Sequence, residues 1–66
     1  MDRELAERVV PTLLRASQEI ASTVDVVATT ESADQAKRYA DAVGEVMLAL
    51  DAVLRPIWIE YNDLHP

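Results

Sequence analysis

No cysteine occurs in the 66 residues, so disulfides and thiolate-held metals are excluded, and with them the usual staples of a very small domain. Glycine appears once and proline three times. That is too seldom for a loop-rich or low-complexity chain, and it points to long regular elements. Phenylalanine is missing, and one Trp and two Tyr are the only aromatics. The apolar half of the chain rests instead on ten Ala, eight Val and seven Leu. Such side chains fill a helix–helix seam well but make a thin core for a lone monomer. Basic residues are outnumbered six to twelve, for a net charge of -6. Lys37-Arg38 is the one basic pair, and Asp34 and Asp41 flank it. Without clustered Lys and Arg to neutralise phosphates, direct nucleic-acid binding is not expected. A protein with a basic surface is the better electrostatic match. The longest apolar runs, Val46 to Leu50 and Ala52 to Leu54, fall far short of a bilayer span. Met1-Asp2-Arg3-Glu4 lacks the apolar stretch of a secretory signal. The expectation is a cytoplasmic protein without membrane contact, folded as one domain over residues 1–66.

What is present is periodicity. Ala6, Leu13, Ile20 and Val27 recur every seven residues, with Val10, Ser17 and Val24 beside them and Leu5, Val9 and Leu14 widening the stripe. This spacing predicts a helix over about residues 2–28. Pro11 falls inside it, where a lost backbone bond and a clash with the preceding turn predict a kink or a fresh start near Val10. Thr29-Thr30-Glu31-Ser32 interrupts the pattern as a hinge over 29–32. Ser32 followed by Gln35 fits a capping box, and Asp34 in the first turn suits the helix dipole. Ala36, Val43, Leu50 and Ile57 then repeat every seven residues, with the pairs Tyr39-Ala40, Val46-Met47 and Val53-Leu54 between them. A second helix is predicted over about 32–54, close to a heptad seam with an added flanking row. Asp51 and Arg55 are spaced for an i, i+4 pair. Gly44 lies mid-helix, marking either close approach of another backbone or a tolerated exposed site.

A hinge of three or four residues favours antiparallel neighbours. Both stripes are wider than one helix–helix contact can cover. The predicted fold class is therefore all-α, an antiparallel two-helix hairpin that pairs as a homodimeric four-helix bundle. Leu13, Ile20, Val27, Val43, Leu50 and Ile57 are its expected core and dimer residues. Pro56 is expected to stop the second helix or to open a short last one over 56–64. The stretch after it, Ile57-Trp58-Ile59-Glu60-Tyr61, holds two of the three aromatics. Trp58 and Tyr61 either cap the bottom of the bundle or anchor a partner, and the two roles are compatible because Ile57, Tyr61 and Leu64 share one face with Trp58 at its edge.

Chemistry-bearing patterns are scarce, and no enzymatic activity is expected. His65 is the only imidazole and sits beside the last residue. Ser17 reads as a small seam residue and Ser32 as a cap, neither with a base nearby. One glycine cannot form a phosphate loop. A di-metal helical core needs Glu-x-x-His, which does not occur, so no metal or cofactor is expected. Asp34, Asp41 and Glu45 lie at i, i+7 and i+11, along one outer helix face. They form either a solvated face or a partner-facing acidic strip. DNA mimicry, the strong form of the second reading, needs a higher charge density than twelve acids offset by six bases provide.

Ala28-Thr29-Thr30-Glu31-Ser32, Arg38-Tyr39-Ala40-Asp41-Ala42 and Met47-Leu48-Ala49-Leu50-Asp51-Ala52 resemble the small phage-encoded quorum-sensing anti-activators over about residues 24–54. The resemblance implies a two-helix hairpin that dimerises and binds the DNA-binding domain of a LuxR-type transcription regulator, keeping it from its promoter. Pro11, the valine cluster of the first helix and the aromatic tail depart from that pattern. Read as a whole, the sequence predicts a small protein-binding inhibitor or regulator that occludes a basic surface through Trp58, Tyr61, Asp34, Asp41 and Glu45. The alternative is an assembly adaptor that binds through apolar helix faces.

Overall fold

A computed structural model describes all 66 residues and contains helices only. Helix α1 spans Arg3–Thr30 and helix α2 spans Ala33–Glu60, followed by a 3-10 turn at Asn62–Leu64. Each helix has 28 residues, about 42 Å at the standard rise, and together they form a rod of 45 × 15 × 15 Å. The helices run antiparallel, because Ala6 and Val10 near the start of α1 share a buried cluster with Leu54 and Ile57 near the end of α2.

Local chemistry accounts for the helix boundaries. The Asp2 side chain accepts the Glu4 N–H at 3.2 Å and opens α1. Ser32 Oγ accepts the Gln35 N–H at 3.2 Å and opens α2, making one half of the expected box. The predicted hinge over 29–32 shrinks to Glu31-Ser32. Thr29 and Thr30 stay helical, and their hydroxyls donate back to the Val26 carbonyl at 2.8 and 3.2 Å, so both side chains are satisfied within the helix.

Both internal prolines are accommodated without a break. No fresh start occurs at Val10: α1 runs through Pro11. The carbonyl stripped of its donor there belongs to exposed Glu7, and Thr12 Oγ1 donates to the next one, Arg8, at 3.3 Å. Pro56 neither ends α2 at residue 54 nor starts a separate helix, since α2 continues to Glu60. Pro56 and Ala52, whose carbonyl it leaves unpaired, are both exposed, so water can replace the lost bond.

The seam follows the predicted period. Ala6, Val10, Leu13, Ser17, Ile20, Val24 and Val27 face Ala36, Ala40, Val43, Met47, Leu50, Leu54 and Ile57, and every one of them is buried or half-buried. Ser17 Oγ donates to the Leu14 carbonyl at 2.9 Å, so this polar seam residue carries no unmet bond. Full burial is rare, however. Only Ala6, Val10, Val43, Leu54 and Ile57, five of 66 residues, are buried, and four of them sit at the end of the rod away from the hinge. Packing is therefore concentrated where the chain termini meet.

Three substitutions check this account by urea denaturation. Leu54→Ala, in the buried cluster, is expected to cost about 2–5 kcal/mol. Leu48→Ala, on the outer surface, should stay within about 0.5 kcal/mol. Gly44→Ala is expected to add roughly 0.8–1 kcal/mol, since a Cβ at Gly44 meets nothing within 4 Å. A loss of stability in Gly44→Ala would contradict the open surroundings assigned to that position.

Candidate functional site

Three surface features carry polar or aromatic side chains in an organised way: the closed end of the rod, an outer ridge of α2 and one flank of the hairpin. The closed end collects the predicted aromatics. Trp58, Tyr61 and Leu64 pack with Val9, Leu13 and Leu14 against the Ala6, Val10, Leu54 and Ile57 cluster. The Trp58 ring meets His65 edge-on at 4.3 Å between centroids. Its indole N–H is buried and has no acceptor. Tyr61 donates its hydroxyl proton to the Met1 carbonyl, and the Arg3 guanidinium lies 5.6 Å from the centre of its ring. Arg3 also pairs with Asp63 through both terminal nitrogens and with Glu7 at 3.0 Å, while the Met1 amino group reaches Glu60 at 3.3 Å. These contacts clasp the 3-10 turn to the start of α1.

The clasp leaves an electrostatic signature. Hydrogen bonding from Arg3, helped by its charge, holds the Asp63 carboxyl below the usual carboxylate range, and Asp63 in turn raises Arg3. Desolvation, aided by the neighbouring Glu60 carboxylate, pushes the Tyr61 phenol up from its ordinary value.

The outer ridge carries the predicted acidic strip. Asp34, Asp41 and Glu45 are all exposed on α2. Asp34 pairs with Arg38 at 3.3 Å, and neither Asp41 nor Glu45 forms an ion pair. Further along, Asp51 and Arg55 make the predicted i, i+4 pair. The ridge is remote from the aromatic end: at about 1.5 Å per residue, Trp58 lies roughly 20 Å along α2 from Glu45 and 36 Å from Asp34. The five residues predicted to bind a partner thus fall into two separate groups. No three His, Asp or Glu side chains converge anywhere.

The flank is the feature that residue-by-residue reading left unassigned. Each pair of apolar residues in α2 splits, with Ala40, Met47 and Leu54 facing α1 and Tyr39, Val46 and Val53 standing out at the side, exposed. Thr23 Oγ1 and the Tyr39 hydroxyl share a hydrogen bond at 2.7 Å, which places Thr23 beside Tyr39. The antiparallel register then sets Ala16 beside Val46 and Val9 beside Val53. Leu5, Val9, Thr12 and Leu13, with Arg8, line a shallow groove at one end of this flank. The signal was legible as the widened stripe and the added row. Deciding which member of each pair turned outward required the partner helix.

Acidification probes the clasp. A depressed folded-state pKa means that Asp63 contributes stability above the ordinary carboxylate range and loses it as pH falls through the depressed value. In a carboxyl-carbon NMR titration, Asp63 is expected to titrate below the ordinary carboxylate range, and the 3-10 turn should loosen only at that lower pH. Titration of Asp63 at or above the ordinary range would contradict a formed clasp. Trp58→Phe should keep the native melting temperature within a few degrees, because it retains the packing and removes the unpaired N–H, whereas Trp58→Ala should lower it clearly.

Comparison with known proteins returns no matching family model, no similar curated protein and no similar solved structure.

Proposed function

We propose that the chain is a non-catalytic protein-binding regulator that works as a homodimer and covers a basic surface on a protein partner. The observation that carries this reading is the division of its surface. Asp41 and Glu45 stand exposed and unpaired on the outer ridge of α2, beside Asp34, while an apolar flank is left for helix packing. A chain of net charge -6 is drawn toward a basic protein face and repelled by nucleic acid. The DNA-binding region of a transcription regulator is one such face, and it is the target that the resemblance to the phage anti-activators implies.

Placement of the aromatics refines the binding residues. Trp58 and Tyr61 pack in the hydrophobic cluster, so weakened binding in a Trp58→Ala variant would report lost folding as readily as a lost contact. Asp34, Asp41 and Glu45 carry the proposal more cleanly because they support no buried packing. A second reading, an assembly adaptor binding through apolar helix faces, is favoured by Leu48 and Ile59, which are 72% and 77% exposed on α2.

Affinity capture from a cell lysate, run at low and high salt, separates the two. The expected result is a protein prey lost at high salt and lost from the combined Asp34→Lys, Asp41→Lys, Glu45→Lys variant. Capture that ignores salt and that charge reversal, and disappears in Leu48→Asp with Ile59→Asp, would replace this reading with the adaptor.

A further inference from the structure

The flank formed by Val9, Ala16 and Thr23 of α1 with Tyr39, Val46 and Val53 of α2 is unpartnered, and three physical arguments identify its occupant. The first is area. The chain exposes 4869 Å², about 700 Å² more than the roughly 4,200 Å² expected of a compact monomer of its mass. A stable complex buries about 800 Å² on each partner. The excess is comparable in size to one side of an ordinary interface.

The second argument is charge. None of these six residues is an acid or a base of the Asp, Glu, Lys, Arg or His kind, and neither are Ala42 and Ala49, which lie beside them on α2. Two copies can face each other along this flank with only Glu19, at the α1 margin, as an acid beside it, whereas outer-ridge contacts would set Asp41 and Glu45 of an acidic chain against their own equivalents. The third argument is symmetry. Ala16 and Val46 lie at the middle of their 28-residue helices, with one layer on either side. A two-fold axis lying in the interface, whether along the rod or across it, superposes the middle layer of one flank on the middle layer of the other. The small Ala16 side chain beside Val46 leaves room there for close approach. An isologous contact requires this kind of self-matching patch.

We infer that this flank is the surface on which a second copy of the chain docks, completing a four-helix bundle around the middle layer of Ala16 and Val46. The inference rests on the homodimer reading above and assigns it a face. The opposite flank, with Lys37, Gly44 and Asp51, and the outer ridge of Leu48 and Ile59 then stay outside the bundle.

Sedimentation equilibrium on the full chain tests it, with circular dichroism to confirm that each variant remains helical. The native chain should sediment at twice 7.3 kDa at tens of micromolar. Val46→Asp should weaken association by at least about 100-fold, since it buries a charge at the centre of the contact. Leu48→Asp and Gly44→Ala should leave the mass unchanged. Because the chain has no cysteine, Ala16→Cys and Val46→Cys provide a second readout that needs no destabilising charge. Oxidation should link copies through these positions, each to itself or one to the other, and not through Leu48→Cys. A native monomer would overturn both the homodimer reading and this surface. A dimer that survives Val46→Asp, or that dissociates in Leu48→Asp, would overturn the surface alone.

Discussion

Everything in this molecule follows from how little apolar surface two packed helices can hide. A helix buries a single stripe against a single neighbour, and here both helices carry more than a stripe. From Val46 to Ile59, α2 has apolar side chains on three sides: Met47, Leu50, Leu54 and Ile57 toward α1, Val46 and Val53 on one flank, Leu48 and Ile59 outward. The charged residues of that stretch, Asp51 and Arg55, neutralise each other. A helix that is apolar beyond the face its neighbour covers needs a further partner. The proposed two-fold bundle covers the Val46 and Val53 flank and leaves Leu48 and Ile59 outward.

The same constraint explains the uneven packing. Small seam residues dominate toward the hinge, where Ala36 and Ala40 meet Val24 and Val27, and burial there is partial. At the other end, Leu54 and Ile57 find the aromatic side chains and the 3-10 turn, and four of the five buried residues gather. The Arg3–Asp63 pair and the Tyr61 bond to Met1 lie on exposed surface and add little energy one by one. Their effect is positional: they hold the 3-10 turn and Tyr61 over the cluster. The tail therefore serves the fold first, and the acidic ridge of α2 is left as the part of the surface with no structural duty.

Much of this was legible in the sequence because the seven-residue repeat is clean. The positions expected to form the core, Leu13, Ile20, Val27, Val43, Leu50 and Ile57, all lie on the seam. Three features were obscured by chemistry that residue type does not reveal. Thr29 and Thr30 look like breakers but donate to a carbonyl one turn back and prolong α1. Pro56 looks like a stop, yet it sits where solvent can serve the carbonyl it leaves free. The third concerns the pairs Tyr39-Ala40, Val46-Met47 and Val53-Leu54. In each, the sequence offers two candidates for one inward place, and only the register against α1 chooses between them. The separation of the acidic ridge from the aromatic end is likewise a matter of distance along a straight rod, which composition does not report.

Thermal unfolding followed at several protein concentrations tests the central claim most directly, that self-association completes the core of this hairpin. If folding and association are coupled, the melting temperature rises with concentration by mass action, over a range from about one to a few hundred micromolar. The account predicts a steady increase of several degrees across that range. A melting temperature independent of concentration, in a chain that remains monomeric throughout, would contradict it.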